Sequence, residues 1–360
     1  MKVLSVVGAR PQFVKAFPVS RALRARGEEV LVHTGQHYDE ELSDVFFTEL
    51  GIPEPDYHLG VGSESHAVQT ARVMERLDPV VVDEGPDALL VYGDTNSTVA
   101  AALVGAKRDT AVVHVEAGLR SFDREMPEEV NRVVTDHVAD LLLSPTEKGA
   151  ENLDREGLTE RTVVTGDVMY DALLWARDRA SDATTVLADH DLTPGEYVLA
   201  TVHRAKNTDD PARLSAILDG LASVTDTVVL PVHPRTEAAL REHGLWDRAC
   251  AELAVIEPVG YLPFVRLLDG AHRVATDSGG VQKEAFFLDT PCVTLREETE
   301  WVETVEAGWN ELVGCDAGAI TTALERDWPL GEKPHPYGDG DAASAVAEAV
   351  AAHLRAVESG

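Results

Sequence analysis

The sequence is poor in cysteine, in lysine and in long apolar runs. Its three cysteines, Cys250, Cys292 and Cys315, are scattered and odd in number. That leaves neither a disulfide framework nor a CxxC metal site, so they read as buried, reduced thiols. No apolar run approaches the roughly 20 residues that span a bilayer, which argues against a membrane partner. The opening run at 3–7 stops at Gly8. It is too short for a signal-peptide core, and the expected location is the cytoplasm.

Positive charge is also scarce. Lysine supplies only seven of 31 basic residues against 63 acidic ones, giving a formal net charge of −32. Nucleic acid needs a basic footprint and is therefore an unlikely partner on composition. A solvated acidic surface with arginine displacing lysine matches a halophilic protein, whose self-repulsion is screened by salt. The alternative, an acidic disordered tail, fits poorly because the acids are spread along the chain.

What is present is a long alternation. The 360 residues exceed the ~250 at which single cores stop growing, so two domains are expected. Short β-branched runs at 3–7, 29–34, 88–92, 111–115, 140–144 and 162–165 alternate with helical patterns. They are near-continuously apolar, as strands buried on both faces must be. The first helix is expected to run to Arg26 and to close on Gly27 as a C-terminal cap. The pattern restarts with runs at 197–202, 227–232, 253–257, 273–276 and 292–295. The fold class is thus α/β, two Rossmann-like domains with parallel sheets. The first domain is expected at 1–170, joined by the C-terminal helix at 342–360, and the second at 171–341.

In open α/β sheets ligands bind beyond the carboxyl ends of the strands. Those positions are loaded with polar groups: Arg10 after Gly8-Ala9, Gln36-His37, Asp94, Glu116, His203-Arg204, His233-Pro234-Arg235 and Asp277-Ser278-Gly279-Gly280. No GxxxxGK[ST] loop occurs, and Gly60-Val61-Gly62-Ser63-Glu64-Ser65 lacks the last glycine of a dinucleotide fingerprint. Kinase and dehydrogenase readings fall away. The segment 277–284 sits between a strand and a helix. Its glycines admit an anion to the helix N-terminus, which carries about half a positive charge, although a plain tight turn would use the same residues. Arg10, Lys15, His203, Arg204, His233 and Arg235 are cations able to complete a pyrophosphate site.

Carboxylates point to proton chemistry. Asp94 and Glu116 end apolar strands, where an ionised group is costly unless paired or functional. Asp94 has an alternative as a helix N-cap, and Glu128, after Pro127, has one as ordinary helix-start chemistry. Glu116 has no such alternative. His137 reads as a satisfied core or interface histidine.

These motifs resemble the non-hydrolysing UDP-N-acetylglucosamine 2-epimerases. The resemblance rests on Gly8-Ala9-Arg10-Pro11-Gln12, Tyr92-Gly93-Asp94-Thr95-Asn96, His114-Val115-Glu116-Ala117-Gly118-Leu119-Arg120, Met126-Pro127-Glu128, Val202-His203-Arg204, Val232-His233-Pro234 and Asp277-Ser278-Gly279-Gly280. It extends colinearly to His335-Pro336-Tyr337-Gly338. It implies the glycosyltransferase-B architecture, with two Rossmann-like domains facing a cleft and the last helix crossing back, usually as a homodimer. It also implies C2 epimerisation of a UDP-sugar without cofactor or metal. By motif, Asp94, Glu116, Glu128 and His203 would be catalytic. Arg10, Lys15 and His233 would meet substrate or phosphate, Ser278, Gly279 and Gly280 the diphosphate, Glu284 the ribose and Phe264 the uracil.

Several positions depart from the family pattern. His203-Arg204-Ala205-Lys206-Asn207, Lys283-Glu284 and Thr299-Glu300-Trp301-Val302-Glu303 resemble instead the subgroup that epimerises UDP-2,3-diacetamido-2,3-dideoxyglucuronate. There Lys206 and Lys283 would suit a uronate carboxylate. Gln36-His37-Tyr38-Asp39 lacks the second glutamine of the Gln-His-x-Gln stretch associated with allosteric substrate binding in bacterial members.

Overall fold

The computed structural model describes residues 1–36, 53–328 and 331–359. The chain divides into two compact units, Met1–Leu174 with His335–Gly360, and Trp175–Pro334. Each is a parallel sheet flanked by helices, and each is described by itself below.

The strands of the first unit are β1 (Lys2–Val7), β2 (Glu28–His33), β3 (Tyr57–His58), β4 (Ala88–Tyr92), β5 (Ala111–Val115), β6 (Leu141–Ser144) and β7 (Thr162–Val164). They pair in parallel in the order β3-β2-β1-β4-β5-β6-β7. The chain reverses its direction of winding between β1 and β4, which leaves a crevice beyond their carboxyl ends. Leu4, Val6, Val30, Val32, Leu89 and Val91 pack one face against Leu77 and Val81 of the helix His66–Glu84 and Ala101 and Val104 of the helix Asn96–Arg108. The helix Ala342–Ser359 returns to this unit and packs on the helix Arg10–Arg24. Its first backbone N–H groups, of Ala342 and Ala343, donate to Asp171 at 3.1 and 2.9 Å.

The second unit contains β8 (Tyr197–Thr201), β9 (Thr227–Pro231), β10 (Ala254–Ile256), β11 (Arg273–Thr276), β12 (Cys292–Thr294) and β13 (Asn310–Leu312). Their order is β10-β9-β8-β11-β12-β13, again all parallel, with the reversal between β8 and β11. Val198, Ala200, Leu230 and Val293 face Leu214, Ile217 and Ile320 from two flanking helices. The predicted α/β class of two Rossmann-like parallel sheets is the one observed.

Three local expectations are corrected. The first helix ends at Arg24 with Ala25 as its cap. Gly27 answers to another need: a Cβ there would lie 2.4 Å from the Met1 carbonyl oxygen. Cys250 is exposed, and only Cys292 of the three thiols is buried. His137 has a side chain 48% exposed and hydrogen-bonds the Val133 carbonyl at 2.9 Å, so of its two expected roles, core or interface, the core is excluded. Among the described residues no helix is long and apolar enough to cross a membrane.

Candidate functional site

The carboxyl ends of β1, β4 and β5 are tied together by side chains. Gln12, in the first turn of the helix Arg10–Arg24, accepts from the Gly8 and Ala9 N–H groups at 2.8 and 3.1 Å. Its amide donates to the Tyr92 carbonyl at 2.8 Å. One turn on, Lys15 forms an ion pair with Glu116. Burial alone would lower the Lys15 pKa, but Glu116 above all, with Asp94 and Asp167 behind it, holds it raised. One ammonium thus senses two of the three predicted catalytic carboxylates. Arg10 begins the same helix, but its side chain lies outside the described residues, as does His37.

Glu116 leaves β5 with φ of +72°, a left-handed backbone that costs a non-glycine residue on the order of 1–3 kcal/mol. The N–H groups of Glu116 and Ala117 both donate to the Leu143 carbonyl at 3.0 Å, which holds the bend. Opposite, Gly93 has φ of +61°, and a Cβ there would meet the Glu116 Oε2 at 3.3 Å and the Lys15 Nζ at 3.4 Å. The strain and the close approach coincide at the carboxylate.

Asp94 follows Gly93 and is paired with Arg132 of the helix Pro127–Val138. The N-cap of the next helix is Thr95 rather than Asp94, so Asp94 is released from the capping role. Its own carbonyl accepts from Asn131 at 3.0 Å. Glu128 is half-buried at the start of that helix, and no side-chain hydrogen bond or ion pair reaches it among the described residues. It stands four residues before Arg132, on the same helical face.

The neighbouring Glu129, which sequence reasoning passed over, is buried. It accepts from Ser121 N and Oγ at 2.9 Å, from Phe122 N at 3.0 Å and from Arg132 at 3.0 Å. Burial pushes its pKa up, yet these donors outweigh burial and hold it below the ordinary carboxylate range. Arg132 therefore joins Asp94 to a buttressed loop. A second group missed from sequence is His114, inside β5. It contacts the Asp136 carboxylate and the Gly93 carbonyl, each at 2.7 Å. Asp136 also meets Arg120 at 2.7 Å, and Arg120 meets Glu156 at 2.7 Å. Burial opposes ionisation of Asp136, but His114 and Arg120 prevail and keep its pKa lowered.

In the second unit the same strand ends are polar. Asp277, fully buried after β11, accepts from the backbone N–H groups of His203 and Arg204 at 3.0 and 2.9 Å, from Asn207 at 3.1 Å, and meets His203 Nδ1 at 3.1 Å. Burial raises its pKa, but these groups together hold it lowered. Asp277 thereby fixes the loop after β8 against the loop after β11. Ser278 caps the helix Gly279–Phe287, its hydroxyl accepting from Val281 N. Next to it a Cβ on Gly279 would lie 2.2 Å from the Glu300 carboxylate, so a side chain there would require Glu300 to move. Glu300 is held by Arg296 at 2.9 Å. Arg235, one of the cations named as able to complete a pyrophosphate site, is paired with Asp209 at 2.9 Å.

A pocket of about 400 Å³ elsewhere in this unit is lined by the paired Arg235 and Asp209 together with Ala238, Ala239 and Glu242. One of about 300 Å³ lies at the strand ends, bounded by His203, Pro231, His233, Val259, Phe264 and Ser278. His233 caps the helix Pro234–Glu242, and its ring centroid is 5.7 Å from that of His203. Burial, His203 and Arg235 lower its pKa. Thus His203, His233, Phe264 and Ser278, singled out from sequence, share one pocket. Glu284, one turn along the same helix as Gly279 and Gly280, has its carboxyl pushed up to about 7 by burial, against the opposing pull of Lys283. Lys283 is buried, with its ammonium 4.2 Å from the Trp301 ring centroid. Lys206 is paired with Glu297 at 2.9 Å. Among the described residues no cluster of three His, Cys, Asp or Glu side chains could hold a metal ion.

Comparison with known proteins gives the family. The family model described as UDP-N-acetylglucosamine 2-epimerase matches residues 21–351. The UDP-N-acetylglucosamine 2-epimerase of Methanocaldococcus jannaschii is 41% identical, over 94% of this chain and 96% of that protein. Its structure in complex with UDP-GlcNAc and UDP superposes with a TM-score of 0.80, covering all of both chains at 39% identity. The UDP-2,3-diacetamido-2,3-dideoxy-D-glucuronate 2-epimerase of Pseudomonas aeruginosa is 45% identical, over 98% of this chain and 99% of that protein. A lipopolysaccharide outer core galactosyltransferase, 13% identical with a TM-score of 0.58 over 98% of this chain and 99% of its own, shares the fold alone, the glycosyltransferase-B class. With the family model matching residues 21–351 and relatives of 41% and 45% identity covered almost end to end, the chain belongs to the UDP-N-acetylglucosamine 2-epimerase family.

Proposed function

We propose that this protein interconverts UDP-N-acetylglucosamine and UDP-N-acetylmannosamine by eliminating and re-adding UDP. The observation that carries the reading is the pair of strand-end carboxylates, Glu116 on Lys15 and Asp94 on Arg132, with Glu128 on the adjoining helix. The C2 proton of the sugar has no neighbouring carbonyl to acidify it, so simple deprotonation is prohibitive. Elimination removes that obstacle. A carboxylate takes the C2 proton while the C1–O bond breaks, and its electron pair leaves with UDP, giving a 2-acetamidoglucal. UDP then re-adds at C1 as a carboxylic acid delivers a proton to the opposite face of C2. Asp94, Glu116 and Glu128 serve the proton steps, and His203 is a further catalytic group. Lys15 and Arg132 keep the carboxylates oriented and balance their charge.

UDP falls to the second unit's residues. The diphosphate would meet the N–H groups at Ser278, Gly279 and Gly280 with His233, the uracil Phe264, and the ribose hydroxyls Glu284. Arg10 and Lys15 would contact the substrate from the first unit. The protein would work in the cytoplasm as a homodimer, which light scattering in concentrated salt would check.

A second reading, C2 epimerisation of UDP-2,3-diacetamido-2,3-dideoxyglucuronate, is favoured by the Pseudomonas relative. The side chains do not add to it: Lys206 is engaged by Glu297, and Lys283 is packed over Trp301. The test is to offer both UDP-sugars separately in high salt and follow C2 inversion by proton NMR. Turnover of UDP-N-acetylglucosamine ~100-fold poorer than that of the uronate, about 2.7 kcal/mol in transition-state binding, would overturn the first reading.

A further inference from the structure

One buried charged cluster has no place in this chemistry. His114 sits inside β5 among Val112, Val113 and Val115, with His114 and Asp136 both at 0% exposure. Packing gives no reason for an imidazole there. Its Nε2 faces the Gly93 carbonyl and its Nδ1 the Asp136 carboxylate, both at 2.7 Å. A carbonyl only accepts, and Asp136 is already engaged as an acceptor by Arg120 at 2.7 Å and by Gly118 N at 3.2 Å. Both ring nitrogens therefore face acceptors. Arg120 is balanced in turn by Glu156, so Asp136, Arg120 and Glu156 alternate in charge.

The bonds of this ring lead to the two turns that carry the carboxylates. Gly93, directly before Asp94, gives its N–H to the Val115 carbonyl at 3.0 Å and its carbonyl to His114. Both polar groups of that glycine are thus fixed on β5. On the other side of Glu116, the N–H of Gly118 is held by the same Asp136 oxygen that binds Arg120. Gly93, Glu116 and Gly118 all have positive φ, so regular strand pairing does not define their geometry.

We propose that His114 is a positioning residue for the epimerisation. Its ring, contacted at both ends, clamps the end of β4 to β5 and, through Asp136, fixes the turn after Glu116, setting Asp94 and Glu116 relative to each other. Its kinetic consequence rests on the function proposed above, whereas its hydrogen-bond chemistry does not.

Two measurements test it. His114→Gln retains at most one of the two contacts, and Asp136→Asn keeps the Gly93 contact while removing the carboxylate. Each should lower kcat by ~100-fold, the scale of a small misplacement of reacting groups, with UDP affinity within about twofold of wild type. A kcat within about threefold of wild type, or a parallel fall in UDP affinity, would overturn the proposal. Independently, nitrogen-15 NMR of histidine-labelled wild-type protein should show a ring N–H proton of His114 shifted far downfield by a short hydrogen bond. A ring N–H without that shift would refute the clamp, and this readout decides the matter if the variants do not fold. Absence of turnover by the wild-type protein would count against the epimerase reading instead and leave the NMR result standing.

Discussion

Glu284 is the residue whose removal should stabilise the protein while disabling its ligand site. Burial holds its carboxyl at about 7 against the ordinary 4.5. Between those values the folded state binds a proton that the unfolded chain has released, so this group's contribution to stability falls as pH rises through that window. Above it the folded protein carries the full penalty of a buried carboxylate, on the order of 3 kcal/mol. Glu284→Gln keeps the shape without the charge. In denaturant titrations the variant should be more stable than wild type by up to about 3 kcal/mol above about pH 8, the difference vanishing below about pH 4.5. UDP should reverse the order of effects. If the ribose hydroxyls donate to the ionised carboxylate, UDP at ~100 times its Kd should add about 2.7 kcal/mol to the wild type and much less to the variant. A variant no more stable than wild type at high pH would refute the burial argument. Equal stabilisation of both proteins by UDP would refute the ribose assignment.

Asp94→Asn, Glu116→Gln and Glu128→Gln should each lower turnover by more than ~100-fold with UDP affinity largely kept, measured by steady-state kinetics and calorimetry. An unchanged rate in Glu128→Gln would return that residue to ordinary helix-start chemistry. His233→Ala and Ser278→Ala should instead weaken UDP binding first, because both side chains line the second unit's pocket. Stability should rise from dilute buffer to molar salt, since a net charge of −32 repels itself over a Debye length of ~30 Å at 0.01 M. Unchanged melting across that range would contradict salt adaptation.

The sheets were legible because their strands are buried on both faces and read as continuous apolar runs, as 88–92 and 111–115 do. The strands Tyr57–His58 and Asn310–Leu312 were not, being edge strands of two and three residues with partly polar sequences. Gly27 misled because glycine serves helix caps and close backbone approaches alike, and the second use depends on Met1, distant in sequence. At the site, polar residues ending apolar strands exposed Asp94, Glu116, His203 and Asp277. Glu129 and His114 stayed hidden for a common reason. Glu129 looks like a second helix-start acid, and its inward aim follows only from Ser121, Phe122 and Arg132. His114 gains meaning only from Gly93 and Asp136, which lie on other elements. Motif position finds the groups at strand ends, whereas the partners that orient them are set by tertiary contact.

The fate of the C2 hydrogen tests the central claim most directly. Incubating UDP-N-acetylglucosamine with the protein in heavy water and reading the product by NMR should show a UDP-linked epimer carrying deuterium at C2, because elimination gives up the original proton before the opposite face is reprotonated. Epimerised product that keeps its original C2 hydrogen throughout would contradict elimination and re-addition.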